Sequence, residues 1–213
     1  MRSPVESSES STSLVDRLTD SLKDKILNGE LSADEAVNIS AIAKENGVSL
    51  IPVREALARL SAWGLLQFMP NRGYRVVPRL DPEARAALFQ AREILELSAV
   101  PLAVIHRTDE QIKTLREINK QMRSLEKSKL ADQRSFFRLN DQFHRHYLLM
   151  SGNPFLERMF ESLSFDLLLS RETTTPVEIP RLCLEHDQIV DAVKKRDATL
   201  LNDILRRHIR STR

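Results

Sequence analysis

Residues Gly47–Leu66 read GVSLIPVREALARLSAWGLL, a stretch that joins an apolar stripe to a polar, proline-containing start. Ser49 can accept a hydrogen bond from an unpaired backbone N–H, and Pro52 is tolerated in a first turn, where no intrahelical donor is required. Together they mark a helix start. Val53, Leu57, Leu60 and Trp63 follow at intervals of three to four residues, which predicts a buried face and leaves Arg54 and Arg59 pointing elsewhere. Two readings stand side by side: a small core helix with solvated arginines, or a helix whose exposed first turn touches something anionic.

The surroundings favour the second. Upstream, Leu14, Leu18, Leu22 and Ile26 repeat at helical spacing and stop at Asn28-Gly29, and Ser40 is read as the cap of a short helix running to Asn46, with Gly47 just beyond it. Two short helices joined by a tight glycine turn form a helix-turn-helix. Downstream, LLQFMPNRGYRVVP (65–78) places two short β-type segments around the turn cluster Pro70-Asn71-Arg72-Gly73, which reads as a wing. Residues 13 to 45 carry four basic against seven acidic side chains, whereas 46 to 79 carry five arginines against Glu55 alone. A positive segment of that kind suits a phosphate-facing surface, because each neutralised phosphate releases counterions.

This region resembles the winged helix of the GntR family of transcription regulators, in GVSLIPVREALARL, in the GLL that follows and in the glycine-containing PNRGYRV. The resemblance implies a recognition helix in the major groove of operator DNA and a wing in the minor groove. Ser49, Pro52, Arg54 and Arg59 would then lie at the DNA, Ser49 capping the helix and binding phosphate, with Arg72 and Gly73 at the wing tip. The chain departs at Leu50 and Ile51, where the family usually offers an arginine and a threonine. It also has Ala33-Asp34 where a proline-glycine usually precedes the first strand.

The chain of 213 residues, 41% hydrophobic and 29% charged, has the composition of a globular protein with ordinary cores. A single cysteine, Cys183, excludes an intrachain disulfide and fits a reducing cytoplasm. Residues 1–13, MRSPVESSESSTS, lack a signal-peptide core and are expected to be a disordered tail, and no later segment has the length of a membrane-spanning apolar run. The boundaries that follow are a tail at 1–13, a winged helix-turn-helix at 14–79 and a helical domain at 80–213.

The last 134 residues hold one glycine, Gly152, and no long alternating pattern. Turn signals at Arg107-Thr108, Leu130-Ala131, Gly152-Asn153-Pro154, Thr173 to Pro180 and Arg196-Asp197 divide them into at least five helices. The fold class is therefore mainly α, a winged helix followed by a bundle. Pro101, inside LELSAVPLAVIHR, should kink or split the first bundle helix. Asn140 and His144 share a face with Phe136, Phe137, Phe143, Tyr147 and Leu148; His186 lies with Leu182, Ile189, Val190 and Val193; and His208 lies with Leu201, Ile204 and Leu205. Each histidine alone reads as an ordinary core residue. Three from three helices read as a shared site of the kind bundles use for metals. His106, at a helix end, and His146, rotated away from His144, do not join them.

Residues 80–213 resemble the FCD ligand-binding domain of the FadR branch of this family, most specifically in LNDQFHRHYLLMSGNP (139–154) and in the spacing of His186 and His208, 22 residues apart. The resemblance implies a repressor-type regulator that acts as a homodimer on operator DNA and responds to a small organic acid. The divalent metal, zinc or nickel, would be held by Asn140, His144, His186 and His208. Its relatives have an aspartate where Asn140 stands; an amide ligates without charge and should hold the ion more weakly, and Asp141 is a poorly aimed substitute. In the alternative, the histidines bind the effector directly in a metal-free cavity. Arg92, on a seam with Leu88, Leu95, Ala99 and Leu102 and in the context AREILE, is the candidate anchor for the effector carboxylate, unless it simply pairs with Glu96 at the surface. A helical metalloenzyme built on the same histidines, with Asp141, Glu185 or Asp187 as base, is the rival class, although such an enzyme has no need of a winged helix. A scaffold that binds neither DNA nor ligand is the third.

Overall fold

A computed structural model describes residues 13–127, 132–166, 168 and 178–211. The expected tail at 1–12, the turn at Leu130-Ala131 and most of the Thr173 to Pro180 segment lie outside the described residues. The chain divides into two compact units between Pro78 and Arg79.

In the first unit, α1 (Leu14–Leu27) opens on a reciprocal capping box: the Ser13 hydroxyl accepts from the Asp16 N–H, and the Asp16 carboxylate accepts from the Ser13 N–H. Ser13 therefore belongs to the helix start rather than to a tail. Leu18, Leu22 and Ile26 are buried, but Leu14, expected on the same face, is 41% exposed because it sits at the first position, beyond the reach of the packed helices. A two-residue strand β1 (Ala36–Val37) leads into α2 (Ile39–Glu45). Asn38, not Ser40, caps α2, its side chain accepting from the Ala41 N–H. After Gly47, at φ 64°, comes α3 (Leu50–Ala62), whose Val53, Ala56, Leu57 and Leu60 are fully or almost fully buried. Trp63, expected on that face, is only half-buried at the helix end. The strands β2 (Leu66–Met69) and β3 (Gly73–Val76) pair antiparallel with Met69 opposite Gly73, and β1 joins the far side of β3, giving the order β1-β3-β2. Asp34 adopts φ 62°, taking the left-handed turn for which the family's glycine would be suited, and Arg75 donates to its carbonyl at 2.7 Å.

The second unit is a helical bundle. α4 (Pro82–His106) runs unbroken through Pro101, so the proline does not split it; the residue is exposed, on the side where water can serve the carbonyl that loses its donor. α5 (Asp109–Ser124) starts on a Thr108–Gln111 capping box and is followed by a short 3₁₀ turn, Leu125–Lys127. α6 (Asp132–Leu149), α7 (Pro154–Ser162), α8 (Ile179–Lys195) and α9 (Ala198–Ser211) complete the described helices. α5 packs on α6 and α8, and α9 packs on α4 and α8. Two arginines tie helix ends together. Arg196, left-handed at φ 59°, donates to the Val104 and Ile105 carbonyls at the end of α4, and Arg107 donates to the Lys194 carbonyl at the end of α8. The Cys183 thiol is buried in this core, which pushes its pKa up to about 11. None of the described helices is long and apolar enough to cross a membrane.

Candidate functional site

The first unit presents α3 with its apolar face inward and Leu50, Ile51, Arg54, Glu55 and Ala58 outward. Ser49 occupies the cap position with extended backbone, but its side chain makes no capping hydrogen bond. The expected capping role is therefore not filled, and the hydroxyl stays available to an external acceptor. Pro52 sits in the first turn, half-buried. The two arginines of this helix differ sharply. Arg54 is exposed and makes no ion pair among the described residues, whereas Arg59 is clamped by Asp16 at 2.6 Å and Glu55 at 2.8 Å. Hydrogen bonds to the Arg59 guanidinium are among the causes that hold the Asp16 carboxyl below its usual range, after the Ser13 hydroxyl. At the wing tip Asn71 and Gly73 have positive φ, 62° and 77°, and Arg72 between them is exposed.

In the second unit four helices converge on one buried polar cluster. α6 contributes His144, α8 His186 and α9 His208, all at most 1% exposed, with one ligand atom of each ring within 4.8 Å of the others. The sequence reading thus finds its three histidines together, while Asp141 stays out of the cluster. Asn140, one turn before His144 on α6, is buried as well. His106 is engaged elsewhere, its Nδ1–H donating to the Ser151 carbonyl at 3.0 Å.

Two carboxylates, Glu96, read from sequence as a partner for Arg92, and Glu185, read as a possible base, instead orient these rings. Glu96 Oε2 lies 2.7 Å from His144 Nδ1, and Glu185 Oε2 lies 2.7 Å from His208 Nδ1. Each carboxylate accepts from Nδ1–H, so both Nε2 atoms carry lone pairs, and these face one another across 3.3 Å. Facing lone pairs repel unless an electropositive centre lies between them. A proton is a poor candidate, since burial holds the pKa of His144 and His186 well below the ordinary value and lowers that of His208. An ion about 2.0–2.1 Å from each nitrogen in tetrahedral geometry sets two ligand nitrogens about 3.3–3.4 Å apart. His186 strengthens the case: fully buried and stacked on Phe143 at 4.2 Å, it has no hydrogen-bond partner at either ring nitrogen. The donor set fits a divalent metal, and the carboxylate behind each of two histidines is the arrangement that steers imidazole ligands.

Arg92 is 1% exposed, so the surface pairing with Glu96 that the sequence left open does not occur at the surface. The pair is buried, with Nε 2.6 Å from Glu96 Oε1. Its guanidinium lies 4.3 Å from the centroid of Phe165, and its Nη2 has no partner. Glu96 therefore joins Arg92 to His144, and the Tyr147 hydroxyl donates to the Glu96 carbonyl. Burial, then the nearby Asp166, pushes the Asp141 carboxyl up to about 7. Glu185 is pushed up by burial but pulled further down by His208 and Arg181, so it titrates below its usual range. Asp187, the other base of the enzyme reading, is occupied by Asn119 and Arg123.

Comparison with known proteins shows the family of both units. Residues 14–76 match the model described as bacterial regulatory proteins, gntR family, and residues 87–211 match the FCD domain. An uncharacterized HTH-type transcriptional regulator, YdhC, of Bacillus subtilis is 31% identical over 180 residues, covering 83% of this chain and 79% of that protein. The HTH-type transcriptional repressor GlaR of Escherichia coli is 28% identical over 201 residues, covering 88% of this chain and 89% of the relative. The solved structure of E. coli McbR/YncC shares the fold, with a TM-score of 0.73 at 24% identity over 95% of this chain and 96% of that one. The metalloenzyme reading finds no support among these matches; the protein is a DNA-binding transcriptional regulator with an effector-binding C-terminal domain. From its reading head to its buried histidines, the chain belongs to the GntR family, in the FadR subfamily whose members carry an FCD domain.

Proposed function

We propose that this regulator works in the cytoplasm as a homodimer on a pseudo-palindromic operator, and that a small carboxylate releases its repression by binding beside a divalent ion in the helical domain. In this reading residues 14–79 form the DNA-reading head, with Ser49, Pro52, Arg54, Arg72 and Gly73 at the DNA. Arg59, neutralised by two carboxylates, instead holds α3 against α1. Residues 80–213 form the sensing and dimerisation domain. His144, His186 and His208 hold zinc or nickel, with the Asn140 amide oxygen as a neutral fourth donor. When bound, the ion supplies a Lewis-acidic positive charge for the effector's carboxylate. Arg92 offers its unpartnered Nη2 to the same anion, and Phe165 keeps the guanidinium in place. The effector alters operator affinity only through its unequal affinity for the DNA-competent dimer and its alternative.

The observation that carries the metal reading is the pair of carboxylate-oriented rings whose Nε2 atoms face each other at 3.3 Å. It is tested by metal analysis of wild type and Asn140→Asp after identical zinc exposure and dialysis. Wild type should retain up to about one equivalent that chelator removes readily, and the aspartate variant should hold it more tightly, because a full charge replaces a dipole beside the cation. Absence of metal from both proteins, with carboxylate binding intact, would assign the histidines to the ligand itself.

A further inference from the structure

Asp141 reads from sequence as a poorly aimed substitute for a metal-binding aspartate, and in the structure it serves no metal. Successive residues of a helix point about 100° apart, so Asn140 and Asp141 face different ways, and the Asp141 carboxylate lies outside the group formed by His144, His186 and His208. No other partner occupies it. Among the described residues it makes no hydrogen bond and no ion pair, although it is half-buried. A carboxylate withdrawn from water without a partner is costly, which asks what it is kept for.

The charges that act on Asp141 are those of Asp166, Arg145, Arg92 and Glu96. Two of these are engaged with others: Arg145 is held by Glu157 at 2.7 Å and Glu161 at 3.4 Å, and Glu96 is shared between Arg92 and His144. Arg92 is not saturated. It is 1% exposed, yet its Nη2 has no partner. Asp166 follows Phe165, whose ring lies 4.3 Å from the Arg92 guanidinium, so Asp141 on α6 and Asp166 belong to the surroundings of the same arginine. A donor on Arg92 and an acceptor on Asp141 thus share one electrostatic neighbourhood without bonding each other. A molecule that satisfies both must carry an anion and a cation together.

We propose that the effector is an amino acid: its carboxylate takes the Arg92 Nη2 donor, and its ammonium group is received by Asp141, with Asp166 adding negative charge nearby. A plain carboxylic acid bound to Arg92 would leave Asp141 unmatched and bring a further negative charge toward it. An amino acid supplies the missing cation, and the repulsion that disfavours the plain acid is itself a source of specificity.

The inference rests on residues 80–213 acting as a carboxylate sensor, and the experiment separates the two. Full-length protein is titrated calorimetrically with the common amino acids, β-alanine and γ-aminobutyrate, each beside the acid that lacks the amine. At least one amino acid should bind about tenfold or more tightly than its deaminated partner, the effect of a hydrogen bond between charged groups. Asp141→Asn should erase that preference and Asp141→Glu should retain part of it. The preference is a ratio between two ligands in one protein, so damage to the fold common to both does not move it. Binding of plain acids with no amino acid among the ligands, equal affinity within every pair, or a preference of wild-type size in Asp141→Asn would each overturn the inference and leave the carboxylate sensor standing. If neither class of acid binds, the sensor reading falls and this inference with it.

Discussion

At the scale of single residues, Glu96 shows how one carboxylate can serve two partners. Its two oxygens bond Arg92 at 2.6 Å and His144 at 2.7 Å, all three groups being essentially inaccessible to water. Removing the charge leaves a buried guanidinium without its counter-ion, a change of the kind that costs about 3–5 kcal/mol when one partner of a buried pair is lost. It also removes the acceptor that fixes the His144 tautomer. Glu96→Gln should therefore lower both thermal stability and zinc affinity, the latter by about 10–100-fold as for other groups that orient metal-binding histidines. Glu96→Asp, which keeps the charge on a shorter arm, should recover part of each. Zinc titration of the two variants by competition with a chromophoric chelator checks this; equal zinc affinity in all three proteins would detach Glu96 from the site.

At the scale of elements, α3 illustrates what sequence can and cannot disclose. Its existence, its buried face and the wing after it were all legible, because apolar spacing and turn residues are local signals. The fates of its arginines were not. Arg54 and Arg59 look alike in GVSLIPVREALARL, and only the packing of α1, 43 residues away in sequence, brings Asp16 to within 2.6 Å of Arg59. The same blindness hid the caps. Asn38 rather than Ser40 starts α2, since both residues can cap and the choice depends on where the β1 strand delivers the chain. The difference between the arginines has a measurable consequence. Arg54→Ala should weaken operator binding by ~1–3 kcal/mol, as expected for a base-reading arginine. Arg59→Ala should weaken it by less and lower the melting temperature instead, because it frees two exposed carboxylates and loosens α1 from α3. Gel-shift titration and thermal melts of both variants decide it; matching losses of affinity would return Arg59 to the DNA.

For the whole molecule, the sequence showed which histidines would meet but not what surrounds them. Facing periodicities place His144, His186 and His208 inward, but they do not say which ring each carboxylate orients: Glu96 reaches His144 from another helix, 48 residues away, and Glu185, the neighbour of His186, reaches His208, 23 residues away. That surrounding charge gives the protein a pH response whose sign can be worked out. In the metal-free state, burial keeps His144, His186 and His208 neutral below the pH at which the unfolded chain's histidines charge, near 6.5. Between pH 5 and 6.5 the unfolded state thus binds up to three more protons at these positions, and stability falls as pH falls, by at most about 1.4 kcal/mol per unit for each. Asp141 acts the other way. Its carboxyl, raised to about 7, keeps a proton in the folded state that the unfolded chain sheds near 4, so its contribution falls as pH rises through the same window. One proton opposes up to three, and the histidines prevail. Urea unfolding in the presence of chelator should show higher stability at pH 6.5 than at 5.5, and Asp141→Asn should steepen that difference by about one proton's worth, ~1.4 kcal/mol per unit. A flat profile would mean that these imidazoles take up protons in the folded state, and with them the repulsion between the facing Nε2 atoms that argues for a metal would disappear; a profile left unchanged by Asp141→Asn would mean instead that the Asp141 carboxyl is already ionised in the folded protein.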